Sequence, residues 1–270
     1  MSPFPESAFA HIRDAAWLEA HGWFVAEGRH VTRRLLQAPR FRTAAILLTP
    51  VAHEAMLDAI DGVDPARRPE VFIRTSAEMD ALSGFRLHQG CVAIAERLPL
   101  RPWKTEPSPP GISVCLERVR DPDNVGSIAR SAAALGATRL LLGPECADPL
   151  YRKAIRTSMG ALFTLPVLDG SASWPGVIGD LKASGHVVIA TTPDQSAPGI
   201  DAVMEGRRVQ RIVLLVGSEG EGLTDGAIRA AGVRARIPMA PGADSLNVAV
   251  AAAIALHTLS VYALAGGTRG

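Results

Sequence analysis

Apolar and polar positions alternate along this chain in two rhythms. In its second half, ISVCLE (112–117), RLLLG (139–143), HVVIATT (186–192) and RIVLLVG (211–217) are short, nearly continuous apolar runs, which predict buried strands. Between them lie helical patterns at 125–136, 148–158, 174–184 and 224–231, the first ending at Gly136 and the third at Gly185, both suited to a left-handed terminus. ARIPM (235–239) predicts a further strand, and an alanine-rich helix closes the chain. Apolar strands separated by helices predict a parallel sheet covered on both faces. In such sheets ligands bind beyond the carboxyl ends of the strands.

The first half follows a looser pattern. Helices are predicted over 8–20, 28–38 and 50–60, strands over 43–49, 70–74 and 91–96, and a helix over SAEMDALS (76–83) with Ser76 as its N-cap. Five prolines within LPLRPWKTEPSPPG (98–111) forbid both a helix and a central strand, so this stretch reads as a linker. The expected organisation is an N-terminal α/β domain over 1–97, the linker over 98–111, and a larger α/β domain over 112–270.

Composition narrows the function classes. A formal net charge of +1 excludes a uniformly basic coat, though not a local basic patch. The basic residues are 25 Arg and three Lys, and Arg grips phosphate in a bidentate fork. Cys91, Cys115 and Cys146 are widely spaced, with no CxxC pair, so neither a zinc site nor a metal is expected. The absence of a signal-like start points to the cytoplasm. Residues 248–265 are apolar but interrupted by His257, Thr258 and Ser260, so a buried helix is expected rather than a membrane span.

Three loops carry polar residues that a core does not need. In RVRDPDNVGSIARSAAALGA (118–137), Asp123 or Asn124 can cap the helix, and Arg130 follows within it. From spacing alone Arg130 reads as solvating a helix face. In LLVGSEGEGL (214–223), Gly217, Gly220 and Gly222 let the backbone approach a ligand. The pattern is neither GxGxxG nor a P-loop, and Glu219 would repel a phosphate, so a neutral or cationic ligand is expected. The third loop precedes the last helix. Ser245 is a candidate cap there, whereas Asn247 is a poor helix former at the start of an Ala/Val-rich helix.

Taken in order, Asn124-x-Gly126-xxx-Arg130, Gly217-Ser218-Glu219-Gly220-x-Gly222-Leu223, and Ile237-Pro238-Met239 followed by Ser245-Leu246-Asn247-Val248 resemble the three motifs of the SpoU/TrmH family of RNA 2′-O-ribose methyltransferases. RTSMGALFTLPV (156–167) resembles the segment between the first two motifs. WFVAEGRHVTRRLL (23–36) and LHQGCVAIAER (87–97) resemble, less sharply, the family's N-terminal substrate-binding domain. Ser218 departs from the Asn that many members carry.

The resemblance implies a trefoil-knotted, parallel-sheet C-terminal domain, a homodimer, and S-adenosylmethionine as cofactor. It assigns catalysis to Arg130, Asn124, Glu219, Ser245 and Asn247, and cofactor contacts to Gly217, Ile237, Leu246, Thr191 and Met239. The implied reaction is methylation of a ribose 2′-hydroxyl in structured RNA, ribosomal RNA before transfer RNA. RNA would dock on Arg29, Arg33 and Arg34 of the N-terminal domain, where Arg29 and Arg33 share a helix face by i, i+4 spacing. The competing readings are a non-catalytic RNA-binding or ribosome-assembly factor of the same fold, and a Rossmann-type nucleotide-dependent enzyme.

Overall fold

The computed structural model describes residues 4–105, 109–207, 209–240, 242 and 245–265. Part of the proline-rich linker, 106–108, lies outside the described residues. The chain forms two compact units. The first comprises residues 1–99 and 148–164, the second 100–147 and 165–270.

In the first unit the strands are β1 (Trp23–Glu27), β2 (Thr43–Leu48), β3 (Glu70–Ile73) and β4 (Cys91–Glu96). They form a sheet in the order β1-β4-β2-β3, antiparallel except between β2 and β3. Its helices are α1 (Ala15–Ala20), α2 (Arg29–Gln37), α3 (Pro50–Glu54), α4 (Leu57–Asp61) and α5 (Ser76–Ser83). The helix expected over 50–60 is thus two short ones, and the one expected over 8–20 is a 3₁₀ turn (Glu6–His11) followed by α1. Thr75, not Ser76, caps α5. Its hydroxyl accepts from the Glu78 amide while the Glu78 carboxylate accepts from the Thr75 amide, a reciprocal capping box.

The second unit holds a seven-stranded sheet in which every pairing is parallel. Its strands are β5 (Arg101–Pro102), β6 (Gly111–Leu116), β7 (Ala137–Leu142), β8 (Val167–Asp169), β9 (Val187–Thr191), β10 (Arg211–Val216) and β11 (Val233–Ala235), in the order β11-β9-β10-β6-β7-β8-β5. The middle strands are buried on both faces, which is why β6 and β10 read as unbroken apolar runs rather than alternating ones. Continuing the helix numbering, α6 is Pro122–Ala134, α7 Arg152–Thr157, α8 Gly176–Ala183, α9 Ile200–Met204, α10 Asp225–Ala231 and α11 Val248–Ala265. Of these, α7 belongs to the first unit.

Two boundaries bear on the candidate site. Asp121 caps α6, accepting from the Asp123 amide at 2.9 Å, and Pro122 occupies the first helical position, where its missing N–H costs nothing. Asp123 and Asn124 are therefore inside the helix. The strand expected at 235–239 is instead β11, which ends at Ala235, so Ile237, Pro238 and Met239 belong to the loop beyond it.

Residues 148–164 pack with the first unit, although in chain order they fall within the expected C-terminal domain. Leu150, Ile155 and Phe163 join the core that also holds Phe24 and Phe41. The three phenylalanine rings meet at centroid distances of 5.4, 5.5 and 5.9 Å. Arg97 pairs with Asp148 at 2.8 Å and Arg152 with the buried Glu27 at 2.9 Å. Among the described residues no helix is long and apolar enough to cross a membrane.

Candidate active site

The parallel sheet sets the site. Its adjacent strands β11, β9, β10 and β6 all deliver their loops at one edge, the carboxyl one. The loops after β6, β10 and β11 are those marked by the three motifs. Thr191 ends β9 at the same edge, and its hydroxyl donates to the Leu215 carbonyl at 3.1 Å.

Three of the five expected catalytic residues meet. The Asn124 side-chain amide donates to Glu219 Oε1. Asn247 Nδ2 donates to Asn124 Oδ1 at 3.1 Å and to Glu219 Oε1 at 3.3 Å. Asn247 Oδ1 accepts from the Ala249 and Val250 amides at 2.9 and 3.2 Å. Asn247 is thus the N-cap of α11, the role assigned by sequence to Ser245, which stands exposed two residues earlier. One amide side chain starts the last helix with its oxygen and ties the three loops together with its nitrogen.

Glu219 receives neutral amide donors and has no ion-pair partner among the described residues, so its charge is available to a ligand. Arg130 does not join the triangle. It lies six residues beyond Asn124 on α6, about 9 Å along the axis. It is exposed, and its side chain makes no hydrogen bond or ion pair among the described residues.

The glycine-rich loop is tightly closed. A Cβ on Gly217 would lie 2.3 Å from the Gly222 carbonyl carbon and 2.4 Å from the Leu223 nitrogen, so only glycine fits there. Ser218 Oγ is buried without a hydrogen-bond partner among the described residues, an unsatisfied polar atom inside the loop assigned to the cofactor. Leu246 is 36% exposed, and Ile237 and Met239 are half-buried.

Sequence reading missed two residues that hold the loop. Glu117, directly after β6, is completely buried. Its carboxylate accepts from Trp174 Nε1 at 2.5 Å, the Thr224 amide at 2.8 Å and the Thr224 hydroxyl at 2.8 Å. Arg118, in a left-handed conformation at φ 58°, pairs with Glu221 at 2.7 Å and donates to the Gly222 carbonyl at 3.3 Å. The available signal was a charged pair abutting an apolar strand.

The arginines expected to meet RNA are differently placed. Arg33 holds Asp58 through both terminal nitrogens, at 2.5 and 2.9 Å, and the Ala55 carbonyl at 2.9 Å. That contact raises the Arg33 pKa and lowers that of Asp58. Arg34 donates to the Met159 carbonyl at 3.1 Å. Of the three, Arg29 presents an exposed side chain without such a contact among the described residues. The three cysteines are unpaired, and burial raises the thiol pKa to about 11 for Cys91, about 12 for Cys115 and about 11 for Cys146. Among the described residues no group of three His, Cys, Asp or Glu could hold a metal ion.

Comparison with known proteins identifies the family. The chain is 40% identical over 253 residues to an uncharacterised tRNA/rRNA methyltransferase of Mycobacterium tuberculosis, covering 90% of this chain and 83% of that protein. It is 34% identical over 161 residues to the 23S rRNA (uridine(2479)-2′-O)-methyltransferase of Streptomyces viridochromogenes, covering 58% of this chain and 55% of that one. The AdoMet-bound rRNA methyltransferase from Sinorhizobium meliloti superposes with a TM-score of 0.76 at 27% identity, over 94% of this chain and 92% of that one. Residues 111–257 match the SpoU rRNA Methylase family, and the chain, with the family's three motifs at one edge of a parallel sheet, belongs to it.

Proposed function

We propose that this protein transfers a methyl group from S-adenosylmethionine to a ribose 2′-hydroxyl of ribosomal RNA. The observation that carries this reading is the Asn124–Glu219–Asn247 triangle, which joins the three motif loops at the carboxyl edge of the sheet. The loops also fit the cofactor. Within Gly217–Leu223, Glu221 is neutralised by Arg118, and Glu219 is left as a carboxylate without an ion-pair partner among the described residues, which suits a cationic, phosphate-free ligand better than a nucleotide phosphate. Gly217, Thr191, Ile237, Met239 and Leu246 hold it in this reading, with Ile237 and Leu246 flanking the adenine, and the buried Ser218 hydroxyl finds its missing partner there.

When bound, S-adenosylmethionine supplies an electrophilic methyl group on a sulfonium. The chain's own residues orient the acceptor. Arg130 holds the nucleotide phosphate through its guanidinium and stabilises negative charge developing on the 2′-oxygen. The triangle fixes the ribose relative to the methyl donor, and Ser245 borders the reacting centre. In-line attack demands such fixing, because small displacements cost large factors in rate. The distance of Arg130 from the triangle suits a site completed by a second copy of the chain. Val250, Ile254 and Val261 form an exposed apolar stripe along α11, at 47%, 40% and 59% exposure, which supports a homodimer. The trefoil knot and work in the cytoplasm belong to the same proposal.

The test is transfer of labelled methyl to unmodified ribosomal RNA, with the modified nucleotide mapped and then replaced by its 2′-deoxy form. The deoxy substrate should accept no methyl group at that position. Methylation there would make a base the acceptor and overturn the ribose assignment.

A further inference from the structure

The first unit contains a cleft of about 430 Å³ that the motifs do not explain. It is bounded by the chain around α1, by β1, by Phe85 and Arg97, and by residues 148–156. Its lining includes buried apolar side chains, among them Ile12, Phe24 and Leu150. Trp23, Phe85 and Tyr151 add aromatic surface, with Tyr151 39% exposed.

Five cationic side chains and two carboxylates line this cleft. The cations divide by function. Arg97 and Arg152 are tied to Asp148 and Glu27, and those pairs build the wall. Arg13, Lys153 and Arg156 are exposed, and none has a carboxylate partner among the described residues. Arg13 and Arg152 each lie over the Phe85 ring, at 5.1 and 4.9 Å from its centroid. Stacking on the ring holds the Arg13 guanidinium in place without neutralising it. Of the two carboxylates, Asp148 is neutralised by Arg97, leaving Glu19 as the opposing charge.

Uncompensated cations above an apolar and aromatic floor match the two halves of a nucleotide. Phosphates go to the cations and an unstacked base goes to the aromatic face. An acidic peptide would use the cations but leave the aromatic surface unmatched. We infer that this cleft is an RNA subsite that takes an unpaired nucleotide and its flanking phosphates, with Arg13, Lys153 and Arg156 gripping phosphate and Tyr151 stacking on the base. This rests on the reading of the protein as an RNA methyltransferase and assigns RNA contacts to groups other than Arg33 and Arg34, which are engaged within their own unit.

The experiment uses the full-length protein and in-vitro-transcribed 23S ribosomal RNA. The triple variant Arg13→Gln, Lys153→Gln, Arg156→Gln should weaken RNA binding tenfold or more. It should also flatten the dependence of log affinity on log salt by about two units, as three phosphate contacts cease to release counterions. Tyr151→Ala should weaken binding roughly 5- to 150-fold with the salt slope unchanged, since stacking releases no counterion. S-adenosylhomocysteine affinity should be the same in all variants, which also shows that the second unit is intact. RNA carrying 4-thiouridine should crosslink to the wild-type peptide spanning 148–156. If wild-type protein neither binds nor methylates this RNA, the substrate reading fails and the subsite with it. If the wild type does both while the triple variant keeps its affinity and slope, or the crosslinks fall outside the cleft, the subsite alone is overturned.

Discussion

Asn247 combines two tasks that substitution can separate. Its oxygen caps α11 through the Ala249 and Val250 amides, and its nitrogen bridges Asn124 and Glu219. Asn247→Ala removes both. Loss of the cap costs about 1 kcal/mol. The buried Asn124 oxygen also loses its donor, worth up to about 1 kcal/mol more. The sum, about 2 kcal/mol, should lower the urea midpoint by roughly 0.7–1 M at a slope of about 2–3 kcal/mol/M. Asn247→Asp keeps the cap and places a negative charge at a helix N-terminus, a gain of about 0.3–1 kcal/mol. Its second oxygen, however, replaces a donor that sat 3.3 Å from Glu219 Oε1. Two carboxylates at that separation repel by about 1 kcal/mol even at the dielectric constant of water. Cap gain and repulsion nearly cancel, which leaves the donor lost by the Asn124 oxygen, so the Asp variant should lose about 1 kcal/mol, roughly half the loss of the Ala variant. Glu219 should swing away, and methyl transfer should fall about a hundredfold, the scale of a displacement near 1 Å at a reacting centre. Urea denaturation and labelled-methyl transfer on the same preparations decide the matter. A fully active Asp variant would show the triangle to be dispensable, and an Asp variant as unstable as Ala would refute the capping account.

Two further outcomes follow from the same geometry. Glu117→Ala leaves three half-buried donors, from Trp174 and Thr224, without their acceptor, so stability should fall by about 2–3 kcal/mol, with Glu117→Gln intermediate because it retains one acceptor; unfolding free energies within about 0.5 kcal/mol of wild type for both would contradict this. Arg130→Ala removes an exposed side chain with no partner among the described residues, so unfolding should stay within about 0.5 kcal/mol of wild type and S-adenosylhomocysteine affinity should hold while turnover is lost, and turnover near the wild-type rate would remove Arg130 from the reaction.

Much of the architecture was legible because it is local. Runs such as ISVCLE and RIVLLVG are buried on both faces, and that burial is written directly into consecutive residues. The ordered motifs marked the right loops for the same reason, since each is a contiguous stretch after a strand. Caps were less legible. Ser76, Asp123 and Ser245 are plausible caps by type, but neighbours of equal propensity, Thr75, Asp121 and Asn247, made the bonds. Which of two adjacent candidates turns inward depends on how the helix packs, not on its own chemistry.

Tertiary structure alone decided the rest. Glu219 reaches Asn124 across 95 positions, and Asn247 reaches it across 123, so no window of sequence contains the triangle. Leu150, Ile155 and Phe163 form an apolar face that would suit either core, and only packing against Phe24 and Phe41 assigns residues 148–164 to the first unit. The arginines teach the same lesson. Arg33 and Arg156 are the same residue type on the surface of short helices, yet one is held by Asp58 and the other has no carboxylate partner among the described residues. Whether a charge is available to a ligand is set by what lies within about 4 Å of it, a distance that the folded chain determines and residue order does not.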